Sequence, residues 1–250
     1  MTSDSTRIKT AEKVAAMFEF LHREGSADLT QIADHVGLAK STTHSYLETL
    51  IEQGLVSKSG SDYELGLKFL DFGGRVRSRL GLYEAAKPQL QKLYAETGHT
   101  IHLATREHDD LVLLERINPD ETIGFGAHVG QRDHFHTPAL GKAILAHLPS
   151  DEADSIISKH GLTGMTEYSI TNRTELEDEL ETIRERGYAV NDEEEHRNYK
   201  GVARPILLDG QVKGAISIAG PKTELEMSEE SIHELLRSAT DRIEIKLQYD

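Results

Sequence analysis

The chain has 250 residues, with 28 Lys+Arg against 43 Asp+Glu and a formal net charge of −15. It holds no cysteine and no tryptophan, which excludes thiol catalysis, disulfides and zinc ribbons. The length fits one or two domains with real cores, and the lack of an apolar leader or of any run near ~18 apolar residues predicts a cytoplasmic chain with no membrane span.

The acid is unevenly spread. Residues 1–80 carry 10 Lys+Arg against 11 Asp+Glu, whereas the remainder carries 18 against 32. Such a surplus on a folded domain points to a halophilic source, where dense surface charge stays solvated and repulsion is screened; an ordinary acidic protein is the alternative. In high salt, counterion release contributes little to DNA affinity, which then leans on base contacts, shape and a dimeric footprint.

In chain order, Ile8, Ala11, Val14, Ala15, Phe18 and Leu21 recur at helical spacing, so a first helix is predicted to about Arg23. Gly25-Ser26-Ala27 reads as a turn. Leu29, Ile32, Ala33 and Val36 bury one face of a second helix, with Thr30 as the expected cap and Gly37 ending it at a cheap positive φ. A third helix starts near Lys40. Thr43, Leu47, Leu50 and Ile51 share its inner face, while Ser41, Thr42, His44 and Ser45 form a short polar outer row. Val56-Ser-Lys-Ser, a Gly60-Ser61 turn and Tyr63-Glu-Leu read as a strand pair whose only cation is Lys58.

This is a winged helix-turn-helix over residues 6–66, a shape that holds one helix out for the major groove. The candidate DNA-binding residues are Lys40, Ser41, Thr42, Thr43, His44, Ser45, Tyr46 and Lys58. Lys40 and Tyr46 are placed to reach phosphate, and the short side chains let the backbone approach base edges. A helical hairpin inside another domain, or a winged helix used for protein contacts, are the competing readings.

Residues 67–82 form the predicted linker helix. Gly73-Gly74 weakens it by roughly 1 kcal/mol per glycine and suits a hinge. Arg75, Arg77 and Arg79 either touch phosphates beside the wing or line a solvated face. From Tyr83 a second domain, 83–250, is predicted. Helices are expected up to Gly98, over 138–147, over 152–159, from Asn172 to Gly187, and over 228–247. Strands are expected over 100–105, 111–117, 122–127 and 188–191, and as a hairpin of 201–208 with 212–219 across Asp209-Gly210. The mixture lacks βαβ regularity, so the domain reads as α+β with a mostly antiparallel sheet.

The order of several motifs carries a resemblance. They are Gly37-Leu-Ala-Lys-Ser-Thr-Thr-His, Glu52-Gln-Gly-Leu-Val, Thr137-Pro-Ala-Leu-Gly-Lys-Ala, Ile183-Arg-Glu-Arg-Gly-Tyr-Ala-Val-Asn-Asp-Glu-Glu and Ala215-Ile-Ser-Ile-Ala-Gly-Pro. Over nearly its whole length the chain resembles the isocitrate-lyase-regulator (IclR) family of transcription factors. The resemblance implies a winged helix, a linker helix and a GAF-like effector domain. It also implies dimers or tetramers, double-stranded operator DNA as partner, and a small organic, aromatic or sugar acid as effector, with no cofactor and no enzymatic activity.

Carried over by position, the family's pocket implies Phe125, Pro138, Ala139, Leu140, Asn191, Gly201, Ser217 and Ala219 as its wall, with His128 and Arg204 as further candidates. Backbone N–H groups near Pro138 are expected to cradle a carboxylate. Three departures stand out: Asp133-His134 replaces an apolar residue and proline, Arg204 replaces a small residue, and Ser45 replaces the usual recognition-helix arginine. An ideal two-residue hairpin places Arg204 on the face of Ser217 and Ala219, where it can meet an anion; a bulge reverses this. Pairing of Arg204 with a nearby carboxylate is the alternative.

Two other functions were weighed. His128, His134, His136 and His196, with Asp133 or the Glu193–Glu195 run, offer zinc or nickel ligands for a metal-responsive regulator, though no tight metal motif is present. Surface or core histidines, and a solvated glutamate loop, are the simpler readings. Nucleophile elbows, P-loops and dinucleotide fingerprints are all absent.

Overall fold

The computed structural model describes residues 8–118, 127–225 and 227–249. The chain divides into two compact units, Met1–Val76 and Arg77–Asp250.

In the first unit, α1 (Lys9–Glu24), α2 (Leu29–Val36) and α3 (Lys40–Glu52) pack on a small sheet of β1 (Ser26–Asp28), β2 (Val56–Ser59) and β3 (Asp62–Leu65). The sheet order is β1-β3-β2, all antiparallel. Met17, Leu21, Ile32, Val36, Leu47, Val56 and Tyr63 form one core. The expected turn at Gly25–Ala27 is instead largely strand: Ser26–Asp28 pairs with Asp62–Glu64. Asp28, not Thr30, caps α2. Its carboxylate accepts from the Thr30 and Gln31 amides, and the Gln31 side chain accepts from the Asp28 amide, closing a capping box. Gly37 ends α2 at φ 64°, as its freedom from a Cβ allows.

Gly73 and Gly74 do not break the next helix. α4 (Lys68–Ser78) runs through both, and the division between the units falls within it, between Val76 and Arg77, six residues before Tyr83.

The second unit holds α5 (Gly81–Thr97), β4 (Thr100–Glu107), β5 (Asp110–Ile117), β6 (Arg132–Asp133), α6 (Ala139–Leu145), α7 (Ser150–His160), α8 (Arg173–Arg186), β7 (Ala189–Asp192), β8 (Tyr199–Leu208), β9 (Gln211–Pro221) and α9 (Glu229–Tyr249). The six strands run in the order β6-β5-β4-β9-β8-β7, and every pairing is antiparallel. The strand expected at Thr122–Ala127 lies almost wholly outside the described residues.

Alternation along the strands sends side chains to two layers. Ile101, Leu103, Val202, Ile206, Ile216 and Ile218 pack with α5 and α9. Ala104, Ala203, Ala215 and Leu111 pack with α6, α7 and α8. Gly141 allows α6 to sit close: a Cβ there would lie 2.4 Å from the Phe135 carbonyl oxygen.

Candidate functional site

On α3, Lys40, Ser41, Thr42, His44 and Ser45 are exposed, as the polar row requires. Thr43 is not available to DNA. It is fully buried, and its hydroxyl donates to the Ala39 carbonyl at 3.2 Å. Its place on the apolar face, beside Leu47 and Leu50, decides this. Tyr46 is half-buried against the same core. The Lys40 ammonium donates to Thr30 Oγ1 at 2.8 Å. His44 Nε2 lies 3.6 Å from Glu48 Oε1. Ser45 donates back to the Ser41 carbonyl, which holds its hydroxyl on its own helix. No side chain caps the start of α3, leaving its first amides open to an anion. On the wing, Lys58 is exposed and sits 5.1 Å over the Tyr63 ring.

The linker arginines do not form one set. The Arg77 guanidinium stacks 4.6 Å from the Tyr83 ring centre and donates to Glu115 Oε2 at 3.4 Å. It serves the second unit's own structure.

That unit contains a cavity of about 110 Å³ between the sheet and α6. Its sheet floor is built from Ala104, Gly201, Ser217 and Ala219, with His102 among them. These residues are small, so the strand face withholds volume that large side chains fill on the opposite face. Pro138, Ala139 and Leu140 form the α6 side, and Asn191 the β7 side. Seven of the expected wall positions therefore line one space.

Of the other three, two do not. Phe125 lies outside the described residues. His128 is exposed in a turn, its ring beside the Val129 carbonyl. Arg204 points to the α9 layer: its Nε donates to Thr240 Oγ1 at 2.8 Å, and Nη2 is 4.0 Å from Asp241. The hairpin is not ideal. Ile206 faces Gly214 and Leu207 faces Val212, so Lys213 is an extra residue. This bulge places Gly201 opposite Ala219 and turns Arg204 away.

Several polar lining residues went unassigned in the sequence. His102 Nδ1 lies 3.3 Å from Ser217 Oγ, and burial, aided by the charge of Arg116, holds its pKa down at about 4. Arg116 lines the cavity and donates to the Ala127 carbonyl at 3.0 Å. Burial raises the Tyr199 phenol.

The glutamate run is not a solvated loop. Each member leaves in a different direction, helped by Glu193 at φ 67°. Glu193 pairs with Lys222 at 2.7 Å. Glu194 is buried against the buried ammonium of Lys142. Glu195 enters the cavity, where it is hydrogen-bonded to Asp133 and accepts from Asn191 Nδ2 at 3.2 Å. Burial, and then Asp133, push the Glu195 carboxyl up to about 8.

The metal alternative finds no ligand set. Among the described residues no three His, Asp or Glu side chains gather as metal ligands. His136 Nε2 instead lies 3.0 Å from the Thr163 carbonyl. No helix among the described residues is long and apolar enough to cross a membrane.

Residues 10–60 match the IclR helix-turn-helix domain, and residues 74–245 match the bacterial transcriptional regulator IclR C-terminal domain. The chain belongs to the IclR family. A curated relative from Halobacterium salinarum, named a probable HTH-type transcriptional regulator ArcR, is 29% identical, covering 97% of this chain and 95% of its own. The IclR of Thermotoga maritima is 28% identical with a TM-score of 0.79, covering 96% of this chain and 99% of its own. An IclR homologue from Microbacterium hydrocarbonoxydans, crystallised with 4-hydroxybenzoate, shares the fold at 23% identity and a TM-score of 0.78, covering 90% and 92% of the two chains. This IclR-family chain is thus a transcriptional regulator with a helix-turn-helix and a C-terminal effector domain.

Proposed function

We propose that this regulator binds a near-palindromic operator as a dimer, and that a small organic acid in the 110 Å³ cavity sets its DNA affinity. The observation that carries the reading is the exposed row of Ser41, Thr42, His44 and Ser45 on α3, with open amides at the helix start for phosphate. Lys40 and Lys58 supply flanking cations.

Self-association is supported by exposed apolar side chains at the end of the first unit. Leu67, Leu70, Phe72 and Val76 are 82%, 72%, 45% and 49% exposed, and large apolar residues left uncovered are a common place for a second copy to dock. Two-fold symmetry then spaces two recognition helices one or more DNA turns apart.

The cavity suits a compact acid. An apolar cavity of roughly 150 Å³ admits one benzene ring, so about 110 Å³ takes a ligand of a few carbons to one small ring. Leu111, Leu113 and Pro138 cover its carbons, and Arg116 brings positive charge. Binding acts on DNA only through a difference in affinity between two arrangements of the regulator.

The test is selection of bound duplexes from a random library at molar KCl. Fluorescence anisotropy on the enriched sequence then follows, with and without a panel of organic, sugar and aromatic acids. An enriched inverted repeat whose affinity moves with one acid is the expected result. Failure to enrich any sequence refutes DNA reading, and an affinity that no cavity-binding acid moves refutes effector control.

A further inference from the structure

Two carboxyls, those of Asp133 and Glu195, line the cavity. Asp133 comes from the edge strand β6 and Glu195 from the segment after β7, and their carboxyls are hydrogen-bonded to each other. Asp133 Oδ1 accepts from the His134 amide at 2.7 Å. Asn191, the nearest amide side chain, is committed: Nδ2 donates to Glu195 Oε2, and Oδ1 accepts from the Glu194 amide at 3.0 Å. Two carboxyls this close resist ionising together, which is one reason the Glu195 carboxyl is pushed up. Each carboxylate oxygen has room for two donors. The pair therefore keeps acceptor capacity that a guest has to satisfy.

This has consequences for the guest. A hydrocarbon end displaces water from these oxygens and returns nothing. A second carboxylate meets like charge. A hydroxyl donates. The remaining wall, with Leu111, Leu113 and Pro138 for carbons and Arg116 for an anion, places the acid group elsewhere in the same space.

We propose that Asp133 and Glu195 are the specificity-determining end of the cavity, and that they select an acid which turns a hydrogen-bond donor, a hydroxyl or an ammonium, onto them. This rests on the effector reading above. The sequence signal was the Asp133 departure from the family's apolar residue, and the structure gives that departure a partner.

The experiment uses four five-carbon acids that differ only at the far end: 5-hydroxypentanoate, pentanoate, glutarate and 5-aminopentanoate. Titration calorimetry on the full chain at neutral pH measures each. The hydroxy acid is expected to bind about tenfold tighter than pentanoate or glutarate, because a site built around a hydroxyl rejects analogues lacking it. Asp133→Leu is expected to reverse the order of hydroxypentanoate and pentanoate. Asp133→Asn keeps the shape and is expected to narrow the gap to glutarate to about threefold or less. 5-Aminopentanoate, which also donates, is expected to exceed pentanoate and glutarate as well; equal binding of pentanoate or glutarate by the natural chain overturns the selection, as does binding of none of the four. The effector reading fails separately: it falls only if the broader acid panel also leaves DNA affinity unmoved.

Discussion

Lys142→Met isolates the buried charge that ties α6 to the glutamate run. The Lys142 side chain is 1% exposed, and its ammonium contacts the Glu194 carboxylate, itself 10% exposed. Glu179 is the second carboxylate, at 3.7 Å, and is also held by Arg186 at 2.8 Å. Glu194 Oε2 is buried without a hydrogen-bond partner, so Lys142 is its main compensation. Removing one partner of a buried pair costs about 3–5 kcal/mol, because the other charge is left behind. For a unit of this size that corresponds to a fall in melting temperature of about 10 °C. Burial already raises the Glu194 carboxyl and Lys142 opposes that rise. In the variant the opposition is gone and the folded-state pKa climbs further. A raised carboxyl stabilises fully below its unfolded pKa and loses that contribution as pH rises through the folded value. The deficit of Lys142→Met is therefore expected to be larger at pH 8 than at pH 5. Lys142→Met/Glu194→Gln is expected to recover at least part of it. Urea denaturation of both variants at the two pH values is the assay. A single-variant loss below about 1 kcal/mol, or one that does not change with pH, refutes the argument.

Other tests follow from the same structure. Gly141→Ala drives a methyl into the Phe135 backbone, whose carbonyl oxygen lies 2.4 Å from the Cβ position; calorimetry is expected to show a loss of about 2 kcal/mol or more. His102, held near pH 4 by burial against an ordinary value of 6.5, contributes stability that is present above pH 6.5 and lost as pH falls toward 4. Relative to His102→Gln, the natural chain is expected to lose roughly 3 kcal/mol across that window in denaturation curves. Thr42→Ala or His44→Ala is expected to lower affinity for the selected operator by about tenfold while leaving random DNA nearly unchanged; equal loss on both contradicts base reading. Leu70→Glu, at one of the exposed apolar residues, is expected to shift the sedimentation profile toward monomer.

Much of this was legible in the residues. Apolar spacing placed α1, α2 and α3, and Gly37, Gly98 and Gly187 marked helix ends that all take left-handed φ. Asp209-Gly210 announced the β8–β9 turn. What escaped depended on long-range structure. Ser26–Asp28 is three residues with no alternation of its own, and becomes strand only because β3 offers a partner. The extra residue at Lys213 is invisible in sequence, yet it decides which way Arg204 faces. The glutamate run looked solvated because nothing local reveals Lys142, 52 residues away, as a buried partner. His102 was within reach: it alternates with Ile101 and Leu103, so its assignment to the opposite face needed only the strand period. The burial of Thr43 was legible too, since its helical spacing from Leu47 and Leu50 sets it inside.

The floor of the cavity is furnished by the same strands that hold the α5 and α9 layer together, but by alternate residues. Exchanging Ala104, Gly201, Ser217 or Ala219 reshapes the guest chamber one methyl at a time, while Leu103, Val202, Ile216 and Ile218 go on packing untouched on the reverse side. The cavity's shape and the packing of the α5 and α9 layer thus draw on different positions within one length of chain. Lineages with this architecture are free to change what they sense without first having to rebuild what keeps them folded.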